Sequence, residues 1–313
     1  MTDYTPEMQD DLRKRVRDIM ARDSLKMTDV ASGTGVPYGT IAAWLAGTYA
    51  GKTEDKAEKV ALWLDAREQK ARVSMAMPAA PTFLETDSSA RMLALFQYCQ
   101  HAPDIGVIAG GAGIGKTTTA FEYQRRAPNV FIITAEPVMT SASNFLVELA
   151  TIMSLPEGTP IRMSRAISRK LYNANALIIV DEAQHLSTST LNQARALHDA
   201  SKCGLVFVGN ETVYGRMGDG RAEFAQLFSR VGMKHTQTRP REEDVRALLK
   251  AWGLGIDERL PLAIAKKPGA LRGLTKCIRL AHVLANGEGA AHVEEKHLRS
   301  AWDQIGFDRI EVA

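Results

Sequence analysis

IGVIAGGAGIGKT, residues 105–117, decides the fold. Ile105–Ala109 is a short apolar run with the composition of a buried strand. The residues after it place glycine at 110, 111, 113 and 115 and end in Lys116 and Thr117. Gly-x4-Gly-Lys-Thr between a predicted strand and a predicted helix is a Walker A loop. Its glycines let backbone N–H groups turn inward around phosphates, and the helix that follows aims its positive dipole end at the same anions. Gly110, Gly111, Ala112, Gly113, Ile114, Gly115, Lys116, Thr117 and Thr118 are therefore the candidate nucleotide-binding residues. Lys116 supplies a point charge to the β- and γ-phosphates, and the Thr117 hydroxyl is a candidate Mg²⁺ ligand.

Three further apolar runs follow at intervals filled by helical patterns: Val130–Ala135, Leu177–Asp181 and Leu205–Gly209. Gly232–Thr236 is a fifth candidate. Short β-rich runs separated by helices predict a parallel α/β sheet. The run at 177–182, LIIVDE, ends in two carboxylates and reads as Walker B. Asp181 would hold Mg²⁺ and Glu182 would polarise the attacking water. The next strand ends in Gly209-Asn210, which puts the Asn210 amide beside the γ-phosphate.

This order resembles the AAA+ ATPases, and the resemblance implies further residues. FAQLFSRV, 224–231, is similar to the segment that carries an arginine finger, with Arg230 the best match and Arg221 the alternative. A finger acts across a subunit boundary, so it implies oligomerisation. PGALR, 268–272, is similar to a second sensor motif, with Arg272 reaching back to the nucleotide. The candidate catalytic set is thus Glu182, Lys116, Asn210, Arg230 and Arg272.

Around this centre the chain divides by pattern. Residues 1–72 read as an all-helical domain, with Leu12, Val16, Ile19 and Met20 at helical spacing. Residues 73–90, which hold Pro78 and Pro81, read as a linker. Residues 91–238 carry the nucleotide-binding α/β pattern, and 239–313 return to a helical pattern, a C-terminal lid. Within the first domain, MTDVASGTGVPYGTIAAWL (27–45) has helix-turn-helix spacing: small Ala31 at the crossing, Gly35 in the turn, Ile41 in the core. Tyr38 and Thr40 lie on the exposed face of its second helix and are candidate DNA contacts. That face has no arginine or lysine to read guanine. Residues 1–75 hold 12 Lys/Arg against 12 Asp/Glu, so the domain lacks a strong counterion-release drive toward DNA. A second candidate DNA surface is IRMSRAISRK, 161–170, with Arg162, Arg165, Arg169 and Lys170 and no acid.

Bulk composition narrows the class. The 313 residues carry a formal net charge of +3, compatible with a polyanionic partner without being diagnostic. Three dispersed cysteines, Cys99, Cys203 and Cys277, form no CxxC pair, which argues against a disulfide framework or a zinc site. No apolar run approaches a membrane span, and the charged N-terminus has no signal-peptide core. The expectation is a protein of the cytoplasm.

Together these features resemble the Mu B family of Mu-like phages and prophages over nearly the whole length. The helix-turn-helix, PTFLET, the Walker A loop, IIVDEAQHL, EFAQLFSR and KPGALR occur in the family's order. The resemblance implies an ATP- and Mg²⁺-dependent ATPase that binds double-stranded DNA without strong sequence preference. It implies a helical filament of the chain on DNA, a partner transposase that receives that DNA as its insertion target, and release by hydrolysis in the bacterial host cytoplasm. Two alternatives remain open at this level. A transcriptional regulator with an ATPase sensor would give a specific footprint; a helicase-loader-like AAA+ adaptor would recover a helicase in place of a transposase.

Overall fold

The structure, a computed structural model, describes residues 4–76, 82–139, 141–213 and 230–306. The chain forms two compact units, Met1–Pro78 and Ala79–Ala313.

Among the described residues the first unit has four helices: α1 (Pro6–Arg22), α2 (Met27–Thr34), α3 (Tyr38–Leu45) and α4 (Glu54–Ala76). Gly35 takes φ 64° at the C-cap of α2, a left-handed conformation that lets the chain turn within three residues into α3. Pro37 is the N-cap of α3, where its missing N–H leaves no helical bond unmade. Ile41, Trp44, Val16, Val60 and Leu64 are fully buried in the core of this unit. Arg13 donates to the carbonyl of Trp44 at 2.8 Å and Arg17 to that of Leu45, so two cations satisfy the open end of α3. The linker expected at 73–90 is shorter at both ends, because α4 runs to Ala76 and the next helix begins at Asp87.

The second unit opens with α5 (Asp87–His101), capped by Thr86. There follow β1 (Ile105–Gly110), α6 (Lys116–Arg126), β2 (Val130–Thr134), α7 (Ala142–Ile152), α8 (Pro160–Leu171) and β3 (Leu177–Asp181). A 3₁₀ turn at Ala183–His185 leads to α9 (Thr188–Ser201), β4 (Gly204–Gly209) and β5 (Val231–Gln237). All strand pairs are parallel, in the order β2-β3-β4-β1-β5. Alternation along the strands divides the core between two faces. Ile105, Val107, Ile178 and Phe207 pack against α7, α8 and α9; Ile108, Ile179, Val206 and Val208 pack against α5 and α6. On α8, Met163, Ile167 and Leu171 recur every four residues and are buried, which turns the intervening arginines outward.

Four helices complete this unit: α10 (Glu242–Ala251), α11 (Arg259–Ala265), α12 (Ala270–Gly287) and α13 (Glu295–Ile305). They hold a core of their own around Leu249, Leu260, Leu274, Ile278 and Leu298. The three cysteines are buried, one in each of the three clusters of this unit. Burial pushes the Cys99 thiol up to about 12 and those of Cys203 and Cys277 to about 11, so they act as small packing groups. No described helix is long and apolar enough to cross a membrane.

Candidate nucleotide site

Strand order places the site. β4 lies between β1 and β3, so the carboxyl ends of the three central strands deliver the phosphate loop, Asp181–Glu182 and Asn210 to one edge of the sheet. Open parallel sheets bind ligands at that edge. α6 starts at Lys116, immediately after Gly115, whose φ of 95° is open to glycine at little strain. The Lys116 ammonium donates to the carbonyls of Gly110 and Gly111, both at 2.8 Å. Burial pulls the Lys116 pKa below its ordinary value, with Glu182 and Asp181 opposing that shift.

Thr117 Oγ1 donates to Asp181 Oδ2 at 2.6 Å, and the Glu182 backbone N–H donates to Asp181 Oδ1 at 2.9 Å. Asp181 is 1% exposed. Desolvation raises its pKa, and the two hydrogen bonds act in the opposite direction. A hydroxyl beside a carboxylate is a hard oxygen pair suited to Mg²⁺, with phosphate oxygens and water as the remaining ligands. Among the described residues no cluster of three His, Cys, Asp or Glu could hold a metal by itself. Thr117 and Asp181 are therefore the residues that fit a nucleotide-bound cation.

The lid forms the opposite wall. Gly113 has φ 83°, and a Cβ placed there would lie 2.0 Å from the Gly269 carbonyl oxygen, so the loop lies directly against the turn that opens α12. The cavity between them, about 620 Å³, is lined by Lys116, Thr117, Thr118, Glu182, Asn210 and Arg272, among others. It also takes in four side chains not singled out in the sequence: Gln184, Thr275, Lys276 and Arg279. The last three stand three, four and seven residues after Arg272 on α12, the spacing of one helix face. That spacing was the available signal. The Asn210 amide oxygen accepts from Thr212 N at 3.0 Å and Thr212 Oγ1 at 2.5 Å, which leaves its Nδ2 as the donor for a phosphate. Ile114 is buried at 2%, so this position of the loop offers only its backbone.

Arg230 is elsewhere. It precedes Val231, which pairs with Ile105 at the start of β1, whereas Gly110 at the loop pairs with Gln237. Seven residues of strand separate the two ends, roughly 20 Å, and the Arg230 guanidinium is bound to Asp199 on α9. It does not reach the cavity of its own chain. Arg221 and residues 224–229 lie outside the described residues.

Of the candidate DNA contacts, Arg162, Arg165 and Arg169 are exposed along a groove beside α8 that also contains Glu157. Lys170 turns away from them and donates to the Met153 carbonyl at the end of α7. In the first unit Tyr38 is 57% exposed and Thr40 is half-buried.

A five-stranded parallel sheet with this strand order, a P-loop after β1 and a helical lid over it define an AAA+ ATPase fold. Solved structures agree. ORC2 of Aeropyrum pernix in its ADP form superposes with a TM-score of 0.56 at 17% identity, over 72% of this chain and 70% of that one. Cdc6p of Pyrobaculum aerophilum gives 0.56 at 14%, over 75% and 72%. A profile of the AAA domain matches residues 99–217, and one described as Mu B transposition protein, C terminal, matches 229–305. The chain is 33% identical over 304 residues to the ATP-dependent target DNA activator B of Escherichia phage Mu, covering 95% of this chain and 96% of that protein. It is 31% identical over 273 residues to the Mu-like prophage FluMu DNA transposition protein B of Haemophilus influenzae, covering 85% and 94%. The chain belongs to the Mu B family.

Proposed function

We propose that this chain binds and hydrolyses ATP, and that the nucleotide decides whether it stays assembled on DNA. In the ATP state it polymerises on double-stranded DNA as a helical filament and presents that DNA to a partner transposase. Hydrolysis, stimulated by DNA and by that partner, releases it, which selects targets and protects DNA near the element itself. The relative from phage Mu is named for ATP-dependent activation of target DNA. The observation that carries the reading is the cavity that gathers Lys116, Thr117, Glu182, Asn210 and Arg272 between P-loop and lid, with Asp181 hydrogen-bonded to Thr117 behind it.

The backbone N–H groups of 111–117 and the N-terminus of α6 cradle the β-phosphate. Lys116 exchanges its two carbonyl partners for phosphate oxygens. Thr117 and Asp181 would hold Mg²⁺, which would supply positive charge against the phosphates. Glu182 accepts a proton from the attacking water, and the Asn210 Nδ2 orients that water or the γ-phosphate. Arg272 brings the lid onto the same phosphate. Arg230 of one protomer completes the site of the next, in keeping with its position at the far end of the sheet, and so ties assembly to ATP. The exposed arginines of α8 contact the DNA backbone, which carries little sequence information.

Filter binding to a random-sequence duplex tests the reading. DNA retention should be high with ATP and fall with ADP or no nucleotide, and Glu182→Gln should prolong it. Equal retention in all three nucleotide conditions ends the proposal.

A further inference from the structure

Gln184 joins two of the candidate catalytic elements directly, the turn after Walker B and the end of β4. It sits in the 3₁₀ turn just after Walker B, where Glu182 takes a left-handed backbone conformation with φ 53° and ψ 35°. Such a conformation is uncommon for a residue with a side chain and persists where surrounding contacts determine it. The turn brings the Gln184 carboxamide back over Glu182. Its Nε2 donates to Glu182 Oε2, and its Oε1 accepts the backbone N–H of Asn210 at 3.2 Å. One partner can only accept and the other only donate, so the amide orientation is fixed.

The approach depends on a glycine. A Cβ on Gly209 would lie 2.5 Å from Gln184 Oε1 and 2.4 Å from Val213 Cγ2. The end of β4 is thus bare where the glutamine amide passes to reach Asn210. The bridge therefore runs from Walker B on β3, through one side chain, to the end of the adjacent strand.

We propose that Gln184 is a positioning residue for ATP hydrolysis, holding one oxygen of Glu182 so that the other, Oε1, faces the attacking water. It fixes the water's proton acceptor in register with Asn210, the group that orients the water. The bridge acts through Glu182 and not on bound nucleotide, so it alters turnover and leaves affinity alone. This inference rests on the hydrolytic reading above.

The experiment is steady-state and single-turnover ATP hydrolysis by the full chain with DNA, alongside the affinity for a fluorescent ATP analogue. Gln184→Ala should lower kcat by about 10- to 100-fold, a part of the roughly 10²- to 10⁴-fold that a well-placed general base contributes, with KM and analogue affinity unchanged. Gln184→Glu keeps the acceptor for Asn210 but loses the donor to Glu182, and should be as slow as the alanine variant. In a Glu182→Gln background, Gln184→Ala should add no further loss, because both changes act through one group. Gly209→Ala, which displaces the amide while leaving it in the chain, should reproduce the Gln184→Ala phenotype. An unchanged or raised kcat, a loss confined to KM, or the same fold-loss in the Glu182→Gln background overturns the inference. Lys116→Ala separates the two readings: if it retains hydrolysis, the hydrolytic site itself is misplaced. If it abolishes hydrolysis while the Gln184 variants remain active, only the bridge is wrong.

Discussion

Thr117 Oγ1 lies 2.6 Å from Asp181 Oδ2, so a residue in the first turn of the helix after the P-loop and the one that closes β3 share a hydrogen bond. The carboxylate is nearly inaccessible to solvent, and its charged form is held in place by that hydroxyl and by the Glu182 N–H.

This arrangement separates activity from stability. Burial raises the folded-state pKa of Asp181. Stability from such a group is complete below the unfolded pKa of an aspartate and is lost as pH rises through the raised folded value. At neutral pH the charged carboxylate is therefore a destabilising element. Asp181→Asn should lose at least about 100-fold in ATP turnover, since the cation loses its acidic ligand, yet raise Tm by a few degrees at pH 7. Thermal melts from pH 7 down to pH 3 should show the gain shrinking as the wild-type carboxyl protonates. A lower Tm for Asp181→Asn at pH 7 contradicts the account.

The lid wall predicts a different split. Lys276 and Arg279 stand one and two turns along α12 from Arg272 and are exposed at the cavity. Exposed cations near an anionic ligand contribute modestly and are screened by salt. Lys276→Ala and Arg279→Ala should each raise KM for ATP about 3- to 10-fold at low ionic strength with little change in kcat. The difference from wild type should narrow in about 0.5 M salt, where the Debye length is only a few ångströms. A salt-independent defect would mean that these side chains act through packing.

How much of this was legible in the sequence depends on how local each feature is. The P-loop was readable because its glycines, Lys116 and Thr117 are contiguous, and Asp181–Glu182 because an apolar run that finishes in two adjacent carboxylates marks the end of a buried strand. All five strands fall within a residue or two of their expected runs for the same reason. Lys276 and Arg279 share a helix face with Arg272, but spacing alone does not show that this face meets the P-loop, which depends on Gly113 meeting Gly269 across 156 positions of sequence. Gln184 carries no sequence signal of its own, because its reach toward Asn210 requires β4 to lie beside β3, an order that periodicity does not encode. Lys170 looked like part of a basic face, but one position beyond Arg169 rotates it about 100° around the helix, toward the end of α7.

Arg230 makes a prediction about mixtures. Its own cavity is a strand length away, so a finger at this position acts only on a neighbour in a head-to-tail assembly. Arg230→Ala and Lys116→Ala should each be inactive alone. Mixed in equal amounts, a random assembly pairs an intact cavity with an intact finger at about one interface in four, so hydrolysis should recover to about a quarter of wild type. Mixtures that stay inactive would remove Arg230 from the catalytic set.

The α8 face can be tested by salt titration of DNA binding. Arg162, Arg165 and Arg169 are exposed between the buried Met163, Ile167 and Leu171, whereas Lys170 is committed to the Met153 carbonyl. Each phosphate contact contributes about −0.9 to the slope of log K against log salt for duplex DNA. Replacing the three arginines with alanine should flatten that slope by about 2–3 and weaken binding to all sequences alike. Lys170→Ala should leave the slope unchanged and instead lower stability by about 1 kcal/mol, the worth of a charged hydrogen bond at a helix end. The opposite pattern, a slope that responds to Lys170 and not to the arginines, would move the DNA path off this face of α8.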